Sequence, residues 1–381
     1  MAYARGWVNR SRVTESLVAL CGTDSAPLRE GAMAERLRRE LSELGVAVEE
    51  DDAGRQCGGE VGNLIGRLPA RGDTADPPLL LSAHMDRVAG GIGVRPIVED
   101  GVVKSDGSTI LGADDAAGLA AILEALRVLN ERKLPHPTIE IAFTIGEEVG
   151  LRGAKALDTD RLQAKLGYVL DASGPVGHFV VHTPTQYSWT ATFRGRAAHA
   201  GVAPEAGISA IAAAALAIAE MPLGRIDAET TANVGAFDGG GPTNVVPARA
   251  IVKGECRSRD PQKAEQQLDA MLRALEAGAR RVGAEVEVQA EKAYDGFRLP
   301  EDAPVVQRAA AAARAAGLDP RPVATGGGSD ANVFNRPLQG RRPIPTAVLC
   351  VGYQRIHSHE EWMPIDALVD LSEFVLSVIL A

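Results

Sequence analysis

Cysteine is scarce and scattered. The four in 381 residues, Cys21, Cys57, Cys256 and Cys350, never form a C-x-x-C pair, so the spacing suggests neither a thiolate zinc site nor a disulfide framework. Each reads as a small core residue. Long apolar runs are missing as well: the longest, Ala210 to Ala219, is alanine-rich and too short to span a bilayer. Met1 to Arg10 has no apolar core of signal-peptide length. We therefore expect a cytoplasmic protein with no membrane partner. Positive charge is in deficit, with 40 Lys and Arg against 50 Asp and Glu and a net charge of −10. Non-specific nucleic-acid binding needs a basic face that displaces counterions, so no nucleic-acid partner is expected. What remains, 45% apolar and 24% charged, is ordinarily globular and long enough for two domains.

The most informative stretch is Thr138 to Gly150. Its β-branched and apolar residues read as a buried parallel strand that halts at Gly146 and delivers Glu147 and Glu148. Ligands collect where such strands end in open α/β sheets. On an extended segment neighbouring side chains diverge, which assigns one Glu to a cation and the other to a water or substrate. Three further segments behave alike. Leu79 to Ala83 ends at His84-Met85-Asp86, Leu166 to Leu170 ends at Asp171, and Gly112-Ala113 leads into Asp114-Asp115 at the start of a helix. Each of those two aspartates either caps the helix or binds metal.

The remaining pattern divides the chain. Helices are expected over Val13 to Cys21 and Leu28 to Leu44, strands over Val46 to Glu50 and Asn63 to Gly66, and a hairpin closes at Asp100-Gly101. From Thr183 the order becomes strand 187–193, helix 207–220, strand 232–237, strand 249–256, helix 261–280 and strand 286–290. This is the β-α-β-β-α-β unit of ferredoxin-like domains. The α/β pattern resumes near Lys292 with helix 303–316, a glycine-rich loop at 325–330, strand 346–350 and helix 365–380. The expected fold is thus α/β, with residues 1–183 and 292–381 forming one domain and an α+β domain, 184–291, inserted between them.

Imidazole and carboxylate without thiolate suit Zn²⁺, Co²⁺ or Mn²⁺. The candidates, His84, Asp86, Asp114, Asp115, Glu147, Glu148, Asp171, His357 and His359, exceed what one ion needs. The surplus points to two ions about 3.5–4 Å apart that share a carboxylate and polarise a carbonyl, with a nearby carboxylate as general base.

In order and spacing, Ser82-Ala83-His84-Met85-Asp86, Gly112-Ala113-Asp114-Asp115-Ala116-Ala117-Gly118, Gly146-Glu147-Glu148-Val149-Gly150, Leu170-Asp171 and His357-x-x-x-Glu361 resemble the di-zinc metallopeptidases. That family includes peptidase T, carboxypeptidase G, succinyl-diaminopimelate desuccinylase and acetylornithine deacetylase. The resemblance implies a mixed-sheet α/β/α zinc-exopeptidase domain with an inserted lid, two Zn²⁺ ions and a short peptide as substrate. It implies that Asp114 bridges the ions, that His84 and Asp171 complete one, and that Glu148 and His357 complete the other. Glu147 becomes the catalytic base that activates a water between them, and Asp86 holds the His84 ring by its other nitrogen. His357 is preferred to His359 for its spacing to Glu361. In the lid, Gly195-Arg196-Ala197-Ala198-His199-Ala200-Gly201 is similar to the segment whose His steadies the substrate carbonyl. Asn244 and Arg257 match substrate-binding positions, with Arg257 suited to a terminal carboxylate. The loop Gly326 to Asp330 either offers backbone amides to an anionic substrate end or is a turn. A homodimer through the lid is a further expectation. Asp114-Asp115-Ala116-Ala117-Gly118 and His357 to Trp362 look most like peptidase T, an aminopeptidase; the alternative is an amidohydrolase acting on N-acyl amino acids. Arg87 departs from the pattern, since Thr is more usual after the Asp86 position.

Overall fold

The protein is described by a computed structural model covering residues 5–74, 76–336 and 340–381. In chain order it begins with α1 (Arg10–Cys21), α2 (Gly31–Glu43), β1 (Ala47–Glu50), α3 (Ala53–Cys57), β2 (Leu64–Leu68) and β3 (Leu79–His84). The hairpin β4 (Pro96–Glu99) and β5 (Val102–Ser105) precedes α4 (Ala113–Arg132), β6 (Ile139–Thr144), α5 (Arg152–Ala156), β7 (Leu166–Ala172) and β8 (His178–His182). Next come β9 (Thr185–Arg194), α6 (Ala210–Glu220), β10 (Gly224–Arg225), β11 (Thr230–Gly239), β12 (Arg249–Ser258), α7 (Pro261–Val282) and β13 (Glu285–Tyr294). The chain ends with α8 (Pro304–Ala315), β14 (Arg321–Ala324), α9 (Asp330–Asn335), β15 (Thr346–Cys350), β16 (Trp362–Pro364) and α10 (Ile365–Leu380).

Two compact units result. One comprises Met1–Val181, Arg298–Ala324 and Ser329–Ala381; the other comprises His182–Phe297 and Thr325–Gly328. The first is built on an eight-stranded sheet in the order β1-β2-β6-β3-β7-β15-β8-β14. Its four middle strands, β6, β3, β7 and β15, run parallel. β3, β6 and β15 are buried along their whole length, as expected of strands covered on both faces. The second unit has the sheet order β10-β11-β12-β9-β13 with antiparallel pairing throughout. Its four long strands keep the ferredoxin-like order. A core of Trp189, Phe193, Met271, Leu275 and the alanines of α6 lies under that sheet.

α4 decides where the site sits. Its apolar spacing suggests one buried stripe, yet nearly the whole helix is buried, because alanines fill the positions that would otherwise be polar. A helix apolar on all sides belongs inside a core. Leu119, Ile122, Leu123 and Leu126 are each at most 1% exposed, and each such side chain contributes roughly 1.5–3 kcal/mol by burial. The helix start is thereby held firmly beneath the ends of β3 and β7.

Several elements differ from the sequence reading. α2 begins at Gly31 rather than Leu28, because Leu28 adopts φ +64°, outside helical space. The connection between β1 and β2 contains the short helix α3, and β8, β14 and β16 were too short to show a period. The Asp100-Gly101 hairpin forms with both residues at positive φ, as a two-residue turn of this kind requires. Among the described residues, no helix is long and apolar enough to cross a membrane.

Candidate metal centre

Because β3, β6, β7 and β15 are parallel, their C-terminal ends share one edge of the sheet, the edge where open α/β sheets bind ligands. His84 closes β3, Asp171 is the penultimate residue of β7, Glu147 and Glu148 follow β6, and His357 follows β15. Asp114, at the start of α4, lies between them. Its Oδ1 is 3.1 Å from His84 Nε2 and its Oδ2 is 3.2 Å from His357 Nε2. Glu148 Oε1 is 3.1 Å from the same His357 nitrogen, and Asp171 Oδ1 is 3.9 Å from His84 Nε2. Among the described residues the potential ligand atoms form three sets: His84 with Asp114 and Asp171, Asp114 with Glu148 and His357, and His84 with Glu147 and Glu148.

The two adjacent glutamates do not diverge as an extended chain would require. One oxygen from each lies within 4.8 Å of the other and of a His84 nitrogen. The reason is local: β6 stops at Thr144, and Gly146 at φ +57° turns the chain, so the alternation of a strand no longer applies. The two aspartates also part roles. Asp115 Oδ1 accepts the Gly118 N–H at 3.1 Å and caps the regular part of α4, which leaves the Asp114 carboxylate to the imidazoles.

Asp86 meets the other nitrogen of the His84 ring, through its main chain. The His84 ring meets its backbone carbonyl, with Nδ1 2.9 Å away, whereas the nearer carboxylate oxygen is 3.6 Å away. Donation from Nδ1 to that carbonyl leaves the Nε2 lone pair for a cation. The Asp86 carboxylate instead accepts the backbone N–H groups of Glu147 at 2.9 Å and Glu148 at 3.1 Å.

The electrostatics are those of crowded acids. Burial, opposed by His84 and reinforced by Asp330, Glu148 and Asp86, raises the Glu147 carboxyl well above its ordinary range. Burial together with Asp114 and Glu147 does the same to Asp171. Burial would also raise Asp114, but hydrogen bonds from His357 and His84 outweigh it and hold that carboxyl low. The His357 ring is pushed up to about 10 by its bonds to Asp114 and Glu148. The donor set fits a metal such as zinc. A tetrahedral ion with bonds of about 2.0–2.1 Å has ligand atoms roughly 3.3 Å apart, close to the 3.1–3.2 Å separations here.

The sequence reading gave no supporting role to several residues that hold the site. Glu361, 2% exposed, accepts the N–H groups of Leu111 (3.1 Å), Gly112 (2.8 Å) and Asp114 (3.3 Å) and so fixes the loop before α4. Its fixed spacing to His357 was the available signal. Asp330 is 2% exposed, accepts the Thr144 hydroxyl and is pushed by burial up to about 6. Tyr353 donates to Asp171 at 3.4 Å. Arg87, the residue out of pattern, is 1% exposed and donates to the carbonyls of Leu20, Cys21, Thr23 and Gly91. It caps α1, whose own last turn lacks a basic residue. His359 stays outside the cluster, its Nδ1 3.2 Å from the Gly107 carbonyl.

In the inserted unit, His199 and Asn244 are exposed and share one loop pair, with Ala200 N–H donating to the Asn244 carbonyl at 2.9 Å. Arg257 is not brought to them. It lies at the other end of β12, about 27 Å from Arg249 at the usual rise per residue, and both its ends hold Glu255, at 3.0 and 2.8 Å.

Comparison with known proteins agrees with this geometry. The sequence model of Peptidase family M20/M25/M40 matches residues 80–381. The YqjE protein of Bacillus subtilis is 46% identical over 98% of both chains. The crystal structure of aminopeptidase PepT from Bacillus cereus is 45% identical, with a TM-score of 0.84 over 98% of this chain and 99% of that one. A tripeptidase from Staphylococcus aureus is 41% identical, with a TM-score of 0.89 over 98% of each. From the shared sheet edge, the convergent ligand atoms and matches of this extent, the chain belongs to peptidase family M20/M25/M40.

Proposed function

We propose that this chain is a metal-dependent aminopeptidase of short peptides. The observation that carries the reading is Asp114, whose two carboxylate oxygens face two different imidazoles at 3.1 and 3.2 Å. In this reading Asp114 would be shared between two zinc ions, His84 and Asp171 would help hold one, and Glu148 and His357 would help hold the other. Bound zinc supplies a polarised scissile carbonyl and a water of lowered pKa. Glu147 takes the proton of that water and delivers it to the departing nitrogen. Asp86 aims Glu147 and Glu148 through their amides. His199 and Asn244 are the candidates to hold a substrate carbonyl as negative charge develops on it; Arg257, at the far end of β12, is a separate candidate for a terminal carboxylate, and within one chain a short peptide does not reach both.

The aminopeptidase and tripeptidase relatives support a short peptide with a free amine. The reading also places the enzyme in the cytoplasm as a homodimer through the inserted unit. There β11 leaves Asn233 to Gly239 unpaired on one side among the described residues, with Phe237 46% exposed. Such an edge invites a second strand, and light scattering on the purified protein tests it. The substrate class is tested by a hydrolysis screen of di- and tripeptides against N-acylated amino acids, with zinc or cobalt supplied. Turnover of free-amine peptides supports the proposal; turnover confined to the acylated set assigns an amidohydrolase instead.

A further inference from the structure

The turn bearing Glu147 and Glu148 sends four consecutive amides to side chains. Ile145 N–H donates to Asn63 Oδ1 (3.1 Å), Gly146 N–H to Glu30 Oε1 (2.9 Å), and the next two to Asp86. Asn63 is clamped in turn, donating to Asp51 (2.8 Å) and the Gly153 carbonyl (2.9 Å). Glu30 is the unexpected member. It is fully buried, 116 residues from Gly146, and its Oε1 also accepts the Leu28 N–H at 2.7 Å. Its Oε2 has no hydrogen-bond partner among the described residues. A buried oxygen without a partner lowers stability, so packing alone does not account for a glutamate here. The surroundings are equally specific: Leu28 holds φ +64°, and a Cβ on Gly146 would come within 2.9 Å of the Leu28 side chain.

We propose that Glu30 is a positioning residue for the reaction, its Oε1 fixing Gly146 and thereby the direction in which Glu147 and Glu148 leave β6. The inference rests on the proposed function for what the turn does, and on geometry alone for how the turn is held. Gln keeps the acceptor that Leu28 and Gly146 need. Met keeps the volume without it, and Ala keeps neither.

The test compares Glu30→Gln, Glu30→Met and Glu30→Ala in the zinc-loaded full chain. Hydrogen exchange over 145–150, melting temperature, and kcat and KM on one tripeptide are measured for each. The account expects faster exchange confined to that segment and a kcat lower by roughly 10²-fold in the Met and Ala variants, as misplacement of catalytic groups produces, with KM changed much less. Glu30→Gln should restore both. Should Glu30→Ala fold poorly, Glu30→Met decides. Wild-type exchange in a folded Met variant, or a Gln variant as impaired as the Met one, overturns the proposal. The exchange result stands even if the wild-type protein hydrolyses no peptide, which separates failure of this inference from failure of the functional reading.

Discussion

Nε2 of His357 stands 3.2 Å from Oδ2 of Asp114, and that contact, together with the bond to Glu148, raises the ring to about 10. At neutral pH the metal-free ring is therefore protonated. The His84 ring, held against Asp114 and Asp86, is also raised well above its usual value despite burial. Metal ligation requires neutral imidazole, so binding must expel these protons. Calorimetric titration of zinc at pH 7, repeated in buffers of different ionisation enthalpy, should show net proton release as both sites fill. Release of none would mean that the imidazoles are not ligands.

The raised groups also set a pH dependence for the metal-free protein. Burial, with Asp86 adding, pushes Glu30 up to about 7, against roughly 4.3 in an unfolded chain. The folded state thus holds that proton more tightly. Its stabilising effect is complete below about pH 4.3 and is lost as pH rises through 7. His357 acts in the same direction, with an effect present below about pH 6.5 and lost through 10. Urea unfolding of the metal-free protein should show stability falling from pH 5 to 8, and Glu30→Gln should fall less steeply. Parallel slopes for the two proteins would contradict the assignment.

Gly112 lies two residues before Asp114 at φ +72°, and a Cβ there would overlap the buried side chain of Arg87. In a residue other than glycine, left-handed strain costs about 1–2 kcal/mol and overpacking about 1–3 kcal/mol. Gly112→Ala should therefore lose about 2–5 kcal/mol in urea unfolding, with weakened zinc binding because the Asp114 loop shifts. A change within experimental error would show that Arg87 yields freely.

The strand ends were legible because β3 and β6 are covered on both faces and so read as unbroken apolar runs, each stopping at a polar cluster. The inserted unit was legible because its strands and helices are long enough to show their periods. What stayed hidden depends on contacts between distant residues. Nothing local to Glu30 announces a bond to Gly146, and nothing local to Arg87 announces the end of α1. The convergence of Glu147 and Glu148 follows from a single backbone angle at Gly146, while the separation of Arg257 from His199 follows from the register of β12 against β9. A sequence motif records which residues are present; register and turn angle determine which of them meet.

The division of labour between Glu147 and Glu148 is the centre of the account, and isosteric replacement tests it most directly. Glu147→Gln keeps the shape of the side chain but cannot accept a proton, so two zinc ions should remain after dialysis while kcat on a good tripeptide falls by roughly 10²–10⁴-fold. Glu148→Gln presents a neutral oxygen beside His357 and should lose one of the two ions. Metal analysis of the dialysed variants beside their kinetics decides. Loss of an ion from Glu147→Gln with both retained by Glu148→Gln would exchange the two roles, and full activity in both variants would show that this strand end is not the active site.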